Sequence, residues 1–359
     1  MAEHNHYVPI LKGRLGEYSA LAGLGDSTRA SITPLIEVAP IPWDFENEAP
    51  AKSIDAHLHP IAANVERYWG KDRPLFVDLG WIADDATSSG SHPSLSVFTA
   101  LREIGAQPIP VAGVSRSDEY VAAVRDIAAE DQRGVCLRLE LEDLRSVAVL
   151  ARSLDATAST LKVAIEEIDL ILDFKGFDAG QAPAIEMAAG VVLSALPRAE
   201  QWRSLTLAGG AFPLNLSGLQ GEARIMRADW DVWRAVAINR ADELPRRPAY
   251  GDYAVQHPEP EEIDPRLMKM SAAVRYATPT EWLILKRKNV RDHGFEQFHE
   301  IAEDLIGRPE FRGADFSIGD RMIEACAQRE SGPGSATTWR KIATNHHIET
   351  VVDQIANLP

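Results

Sequence analysis

Cysteine is almost missing from this chain. Cys136 and Cys326 are the only two. Neither belongs to a CxxC pair or to any ligand spacing, which excludes a disulfide framework and a zinc cluster and makes free thiols in a reducing compartment the expectation. Long apolar runs are missing too, since none approaches the roughly 20 residues that a membrane span needs. Met1 to Tyr7 lacks the apolar stretch of a secretory signal, so a soluble, cytoplasmic protein is expected. Basic residues are in deficit, with 37 Lys and Arg against 53 Asp and Glu and a net charge of −16. That deficit argues against a general polyanion binder, nucleic acid included, and leaves room for a local basic patch. Signature motifs are scarce as well. The loop after the first expected strand reads Lys12-Gly13-Arg14-Leu15-Gly16, which is neither GxGxxG nor a P-loop, and no nucleophile elbow or HExxH occurs.

What is present is strand–helix alternation. In Gly134–Leu141, Val135, Leu137, Leu139 and Leu141 share one face of an extended strand, while Cys136, Arg138 and Glu140 share the other. Comparable strands are expected at Tyr7–Lys12, Pro34–Val38, Pro74–Leu79, Pro108–Val114, Ile168–Phe174, Ser204–Ala208 and Tyr250–Val255. Amphipathic segments separate them, among them a helix capped by Ser117 or Asp118 that ends near Asp131. Such units fit a (β/α)₈ barrel over residues 1–257. An open doubly wound sheet is the rival, but it would be expected to carry a glycine-rich phosphate loop after its first strand. Residues 258–359 form an extension: a hairpin of Ser271–Ala277 and Glu281–Lys286, then helices, the last carrying Trp339, Ile342 and Ile348.

Lys12, Glu37, Asp78, Arg138, Glu140 and Asp173 all fall near strand C-termini, the end at which barrels of this kind build their active sites. Two readings stand. In one, the charges line an open pocket for a phosphorylated or nucleotide-like ligand, with carboxylates as acid–base groups or as ligands of Mg²⁺ or Mn²⁺. In the other they neutralise each other and plug the mouth. Gly209 and Gly210, ending the seventh strand, allow close backbone approach where barrel phosphate sites often lie. Arg340, Asn345, His346 and His347 on the last helix could present a hydrogen-bonding basic face, or simply pack. His57 and His59 are expected on a surface, and Lys286–Arg291 is the clearest basic run.

Several segments together resemble one known family: Tyr7–Lys12 with Gly16-Glu17, Pro34–Val38, Phe76–Leu79, Val274–Tyr276 with Trp282–Ile284, Phe316–Asp320, and Trp339-Arg340 with Thr344–Ile348. They are similar to the beta protein family, typified by a T-even phage beta protein. The resemblance spans nearly the whole chain and implies one architecture with its C-terminal extension. It also implies a setting among phage-related or antiviral-defence genes. It carries no catalytic residue across. The functional expectation is a barrel enzyme, a hydrolase or lyase. The alternative is a non-catalytic binding or assembly protein that meets a partner encoded nearby through surface tryptophans (Trp43, Trp230, Trp233).

Overall fold

The computed structural model describes residues 4–82, 85, 87–260 and 270–358. Its centre is a ring built from β1 (Tyr7–Leu11), β2 (Leu35–Glu37), β3 (Pro74–Asp78), β4 (Gln107–Ala112), β5 (Val135–Glu140), β6 (Ile168–Gly176) and β7 (Ser204–Gly210). After an excursion through β8 (Gly221–Met226), β9 (Ala249–Asp252) completes it. Neighbours run β1-β9-β7-β6-β5-β4-β3-β2 and close on β1, every pair parallel. Parallel neighbours need crossovers, and helices such as Leu15–Ala22, Pro93–Glu103 and Asp118–Asp131 supply them. The fold is a (β/α)₈ barrel with extra C-terminal strands and helices.

Period-two alternation sorts the side chains into two layers. Val135, Leu137 and Leu139 lie under the helices, whereas Cys136 joins Val8, Ile10, Leu35, Phe76, Ile109, Val111 and Ile171 inside the barrel. Pro108 and Pro110 sit within β4 (Gln107–Ala112), where it is already paired with β3 but pairs with β5 only from Val111 onward. A missing N–H is tolerated where one neighbour is not yet engaged. The eighth barrel strand is shorter than expected, stopping at Asp252.

The expected hairpin is β10 (Ser271–Ala277) and β11 (Glu281–Asn289), paired antiparallel. Its free edge is taken by β8, a strand that the largely exposed sequence Gly221–Met226 does not announce. Along β11, Trp282 and Ile284 face the barrel layer, while Leu283 and Leu285 face a second core with Phe298, Ile301, Ile323, Trp339 and Ile342. The last helix, Ala336–Ala356, starts at Ser335, whose hydroxyl accepts from Thr338 N–H. It packs closely against Leu15–Ala22: a Cβ on Gly16 would lie 2.9 Å from the Thr337 carbonyl oxygen, and Asn345 Nδ2 donates to Ala20 O at 3.1 Å.

Asp320 pins this helix to the sheet. Its carboxylate accepts from Ser317 Oγ at 2.5 Å and Tyr276 OH at 2.7 Å, and lies 2.8 Å from His346 Nδ1. Asp320→Ala strands those buried donors. It is expected to lower stability by about 3 kcal/mol, read as a shifted urea midpoint, and an unshifted midpoint would contradict the pinning role.

Candidate functional site

One pleat above the apolar interior, the inward positions at the C-terminal ends of the strands carry charge. Arg138 of β5 occupies the centre. Its Nη1 donates to Glu37 Oε1 at 2.7 Å and to Asp78 Oδ2 at 2.8 Å. Its Nε and Nη2 both donate to Asp173 Oδ2, at 2.9 and 2.6 Å. The Tyr253 hydroxyl accepts from Arg138 Nη2 and donates to Asp173 Oδ2, each at 2.5 Å. Lys12 Nζ lies 2.9 Å from Glu37 Oε2 and donates to the Pro258 carbonyl. At the rim, Arg116 Nη2 is 3.3 Å from Asp78 Oδ2, and Lys175 Nζ is 2.9 Å from Glu140 Oε1.

The charges balance: Glu37, Asp78, Glu140 and Asp173 face Lys12, Arg116, Arg138 and Lys175. Apart from the three rim residues, every member is at most 4 % exposed. Burial alone would raise the carboxyl pKa values. For Glu37 and Asp173 that push is overcome chiefly by Arg138, and both are held below the usual carboxylate range. For Asp78 it is overcome by Arg116 and Arg138, which bring it to about 2. Burial, together with Asp173, pushes the Tyr253 hydroxyl well above its ordinary value.

The six residues expected at the mouth therefore meet, but not around an opening. The layer is an ionic plug. The expected Mg²⁺ or Mn²⁺ centre is not formed either. Among the described residues no group of three or more His, Cys, Asp or Glu is arranged to hold a metal, and the acids are turned toward guanidinium and ammonium groups.

The remaining expectations divide. Gly209 and Gly210 serve packing: a Cβ on the first would meet the Phe177 ring at 2.6 Å, and on the second the Tyr253 ring at 3.0 Å. Asn345, His346 and His347 are fully buried, so they present no ligand face. His347 Nε2 lies 2.7 Å from Asp252 Oδ2, and Trp282 Nε1 donates to its Nδ1 at 3.4 Å. Arg340 alone of that group borders a cavity. Trp230 and Trp233 are buried rather than exposed, whereas Trp43 is 50 % exposed. Sequence reasoning missed Tyr253, Arg116 and Lys175. Tyr253 shares the inward parity of Gly251, which was a usable signal. Arg116 lies in a loop after β4 and Lys175 has a positive φ of 56°, so strand alternation cannot place either.

Beside the plug lies a cavity of about 630 Å³ bordered by Lys12, Arg14, Lys52, His57, Asn64, Trp43, Phe45 and Trp81. Trp43, Phe45 and Trp81 keep a substantial part of their rings exposed, and Lys12 Nζ stands 5.6 Å from the Trp81 ring centre. His57, expected on a surface, is half-buried in this wall. Its Nε2 lies 2.8 Å from the Ala39 carbonyl, which only accepts, so the proton sits there and Nδ1 is a buried acceptor with no partner among the described residues. No Asp or Glu appears among the described residues of this wall.

A closed parallel barrel with a neutral ionic plug and a cationic, aromatic cavity at its C-terminal mouth defines the class: a (β/α)₈-barrel protein with a side cavity. More particularly, the chain belongs to the Beta protein family, whose model matches residues 7–353. No curated protein matches the chain. Among solved structures it is similar to triosephosphate isomerase from Bartonella henselae, at 13 % identity over 70 % of this chain and 93 % of that one, with a TM-score of 0.39. It is also similar to 3-keto-D-glucoside 4-epimerase from E. coli, at 13 % identity over 59 % and 81 %, with a TM-score of 0.28. Likenesses at that level say nothing of activity, and the barrel rests on its own strand order. No described helix is long and apolar enough to cross a membrane.

The plug has opposite pH signatures in two proteins. In the native chain, depressed carboxyls such as Asp78 contribute stability above about pH 4 that is lost as pH falls toward about 2. Arg138→Met removes the central cation shared by three buried carboxylates, at a cost on the order of 4 kcal/mol near neutral pH. Their pKa values then rise, so the variant should gain stability as pH falls from 7 to 5. Melting temperatures across pH test this, and a variant parallel to the native chain from pH 7 to 5 would refute it.

Proposed function

We propose that this protein binds a nucleotide-like small molecule in the cavity beside the plug. The observation that carries the proposal is the make-up of that wall. Three cations and three partly exposed aromatic rings share it with no described carboxylate, in a chain of net charge −16. A planar base would stack on the half-exposed Trp43. Lys12, Arg14 and Lys52 would face its anionic end.

A hydrolase or lyase acting on the same ligand is the second reading, and Lys12 favours it. Lys12 is the buried member of the plug that also borders the cavity, which would set an ammonium group beside a phosphoryl oxygen. Glu37, Asp78 and Asp173 are buried and paired with cations, so binding is the function the geometry supports better. The setting proposed is the one the family resemblance implies, phage-related conflict.

Calorimetric titration with adenosine, AMP, ADP and the guanine equivalents tests the proposal. At least one should bind with micromolar affinity and quench tryptophan fluorescence. Trp43→Ala should weaken it about tenfold or more, because one base–aromatic stack is worth roughly 1–3 kcal/mol. Unchanged affinity in that variant, or no binding by any of them, would overturn the proposal.

A further inference from the structure

Lys12 and Arg14 also line a second cavity, of about 590 Å³, together with Arg275, Lys286 and Arg340. Its floor comes from the loops that follow β7 and β9, including Phe212–Ser217 and Val255–His257. Loops after the last two strands are where barrels commonly hold phosphate. Here, though, cationic side chains from the appended sheet and last helix close the space.

Two of them, Lys286 and Arg340, have no ion pair with an acid among the described residues. Elsewhere on the appended sheet and its helices arginines find acids: Arg224 with Glu310, Arg287 with Asp304, Arg308 with Glu222 and Arg312 with Asp353. Arg340 does not. Its Nε is buried without a hydrogen-bond partner, and its charged neighbours are Arg14, which repels it, and Glu17. Glu17 is already engaged. Its oxygens accept from the backbone N–H groups of Lys12 and Arg14, at 3.2 and 3.0 Å, and from the Gln256 side-chain amide. Among the described residues, Lys286 Nζ donates to the Leu216 carbonyl, at 2.6 Å. Among the described residues of the wall the one acid is Glu259, which is exposed. A largely buried guanidinium beside a second one is unfavourable unless something anionic joins them.

We propose that this second cavity is an oxyanion site for a phosphoryl group, held between Arg14, Lys286 and Arg340. The proposal goes beyond nucleotide binding in the first cavity and adds Lys286 and Arg340 to the shared Arg14. The phosphoryl group belongs either to free phosphate or pyrophosphate, or to the tail of an organic ligand whose head lies across the shared Lys12–Arg14 wall.

The probe is inorganic pyrophosphate on the full-length chain, followed by melting temperature and calorimetry, with sodium chloride matched for ionic strength. Pyrophosphate should raise the melting temperature and chloride should not. Arg340→Met keeps the aliphatic stem against Gly16 and removes the charge. It should melt higher than the native chain without ligand and bind pyrophosphate about tenfold or more weakly, since a hydrogen bond to a charged group is worth roughly 1.5–3 kcal/mol. A merely structural arginine would instead lower the unliganded melting temperature. Lys286→Met, on a different element, should weaken pyrophosphate to a similar degree. The site is refuted if pyrophosphate does no more than chloride, or if both variants bind it as the native chain does. ADP that displaces pyrophosphate assigns the group to an organic ligand, and simultaneous binding assigns it to the free oxyanion. Adenosine carries no phosphate, so its binding reports on the first cavity alone and separates the failure of one proposal from that of the other.

Discussion

A guanidinium enclosed by a barrel has to be neutralised from several strands at once, and that requirement shapes the mouth of this one. Arg138 is held by acids from β2, β3 and β6 and by Tyr253 just beyond β9. Lys12, just beyond β1, secures Glu37 from the other side. Removing ions of this kind from water costs several kcal/mol each, so every partner has to arrive in register. A slip of one residue in β3 would turn Asp78 into the helical layer and bring Val77 inward. The ion network therefore stabilises less than it specifies: it selects one pairing of the ring.

With the centre of the mouth closed, what can be reached lies beside it. The two cavities share Lys12 and Arg14 as a partition. One is lined by aromatic rings from the loops after β2 and β3. The other is closed by the three-stranded sheet and the last helix. That helix is held by buried polar contacts on several sides: Asn345 to Ala20 and to Gly319 N–H, His346 to Asp320, and His347 to Asp252. The appended elements thus fix where Arg340 sits relative to Arg14. The barrel and its extension contribute to the second cavity jointly.

Much of the fold was legible in the residues. Every expected barrel strand formed, and the inward parity of Glu37, Asp78, Arg138 and Asp173 was correct because alternation is a local property of extended chain. β8 was missed because its only inward apolar side chains are Ala223 and Ile225, too little to distinguish it from loop. His346 and His347 could have formed a ligand face with Arg340 or have packed, and packing is what they do. They are buried on all sides because a helix wedged between a sheet and another helix has no solvent face there, and sequence does not reveal how many neighbours a helix will have.

The residues alone determined an alternation of βα units with charges at the inward strand ends above an apolar layer, since the period of a strand settles which side each residue takes. Closure of the ring was decided in the structure. Whether those charges form a pocket or a plug was decided only by the tertiary structure. Counting along the strands finds four acids and two cations. Arg116 and Lys175, where strand alternation gives no guidance, complete the balance, and ion pairing depends on separations of a few ångströms between residues far apart in the chain.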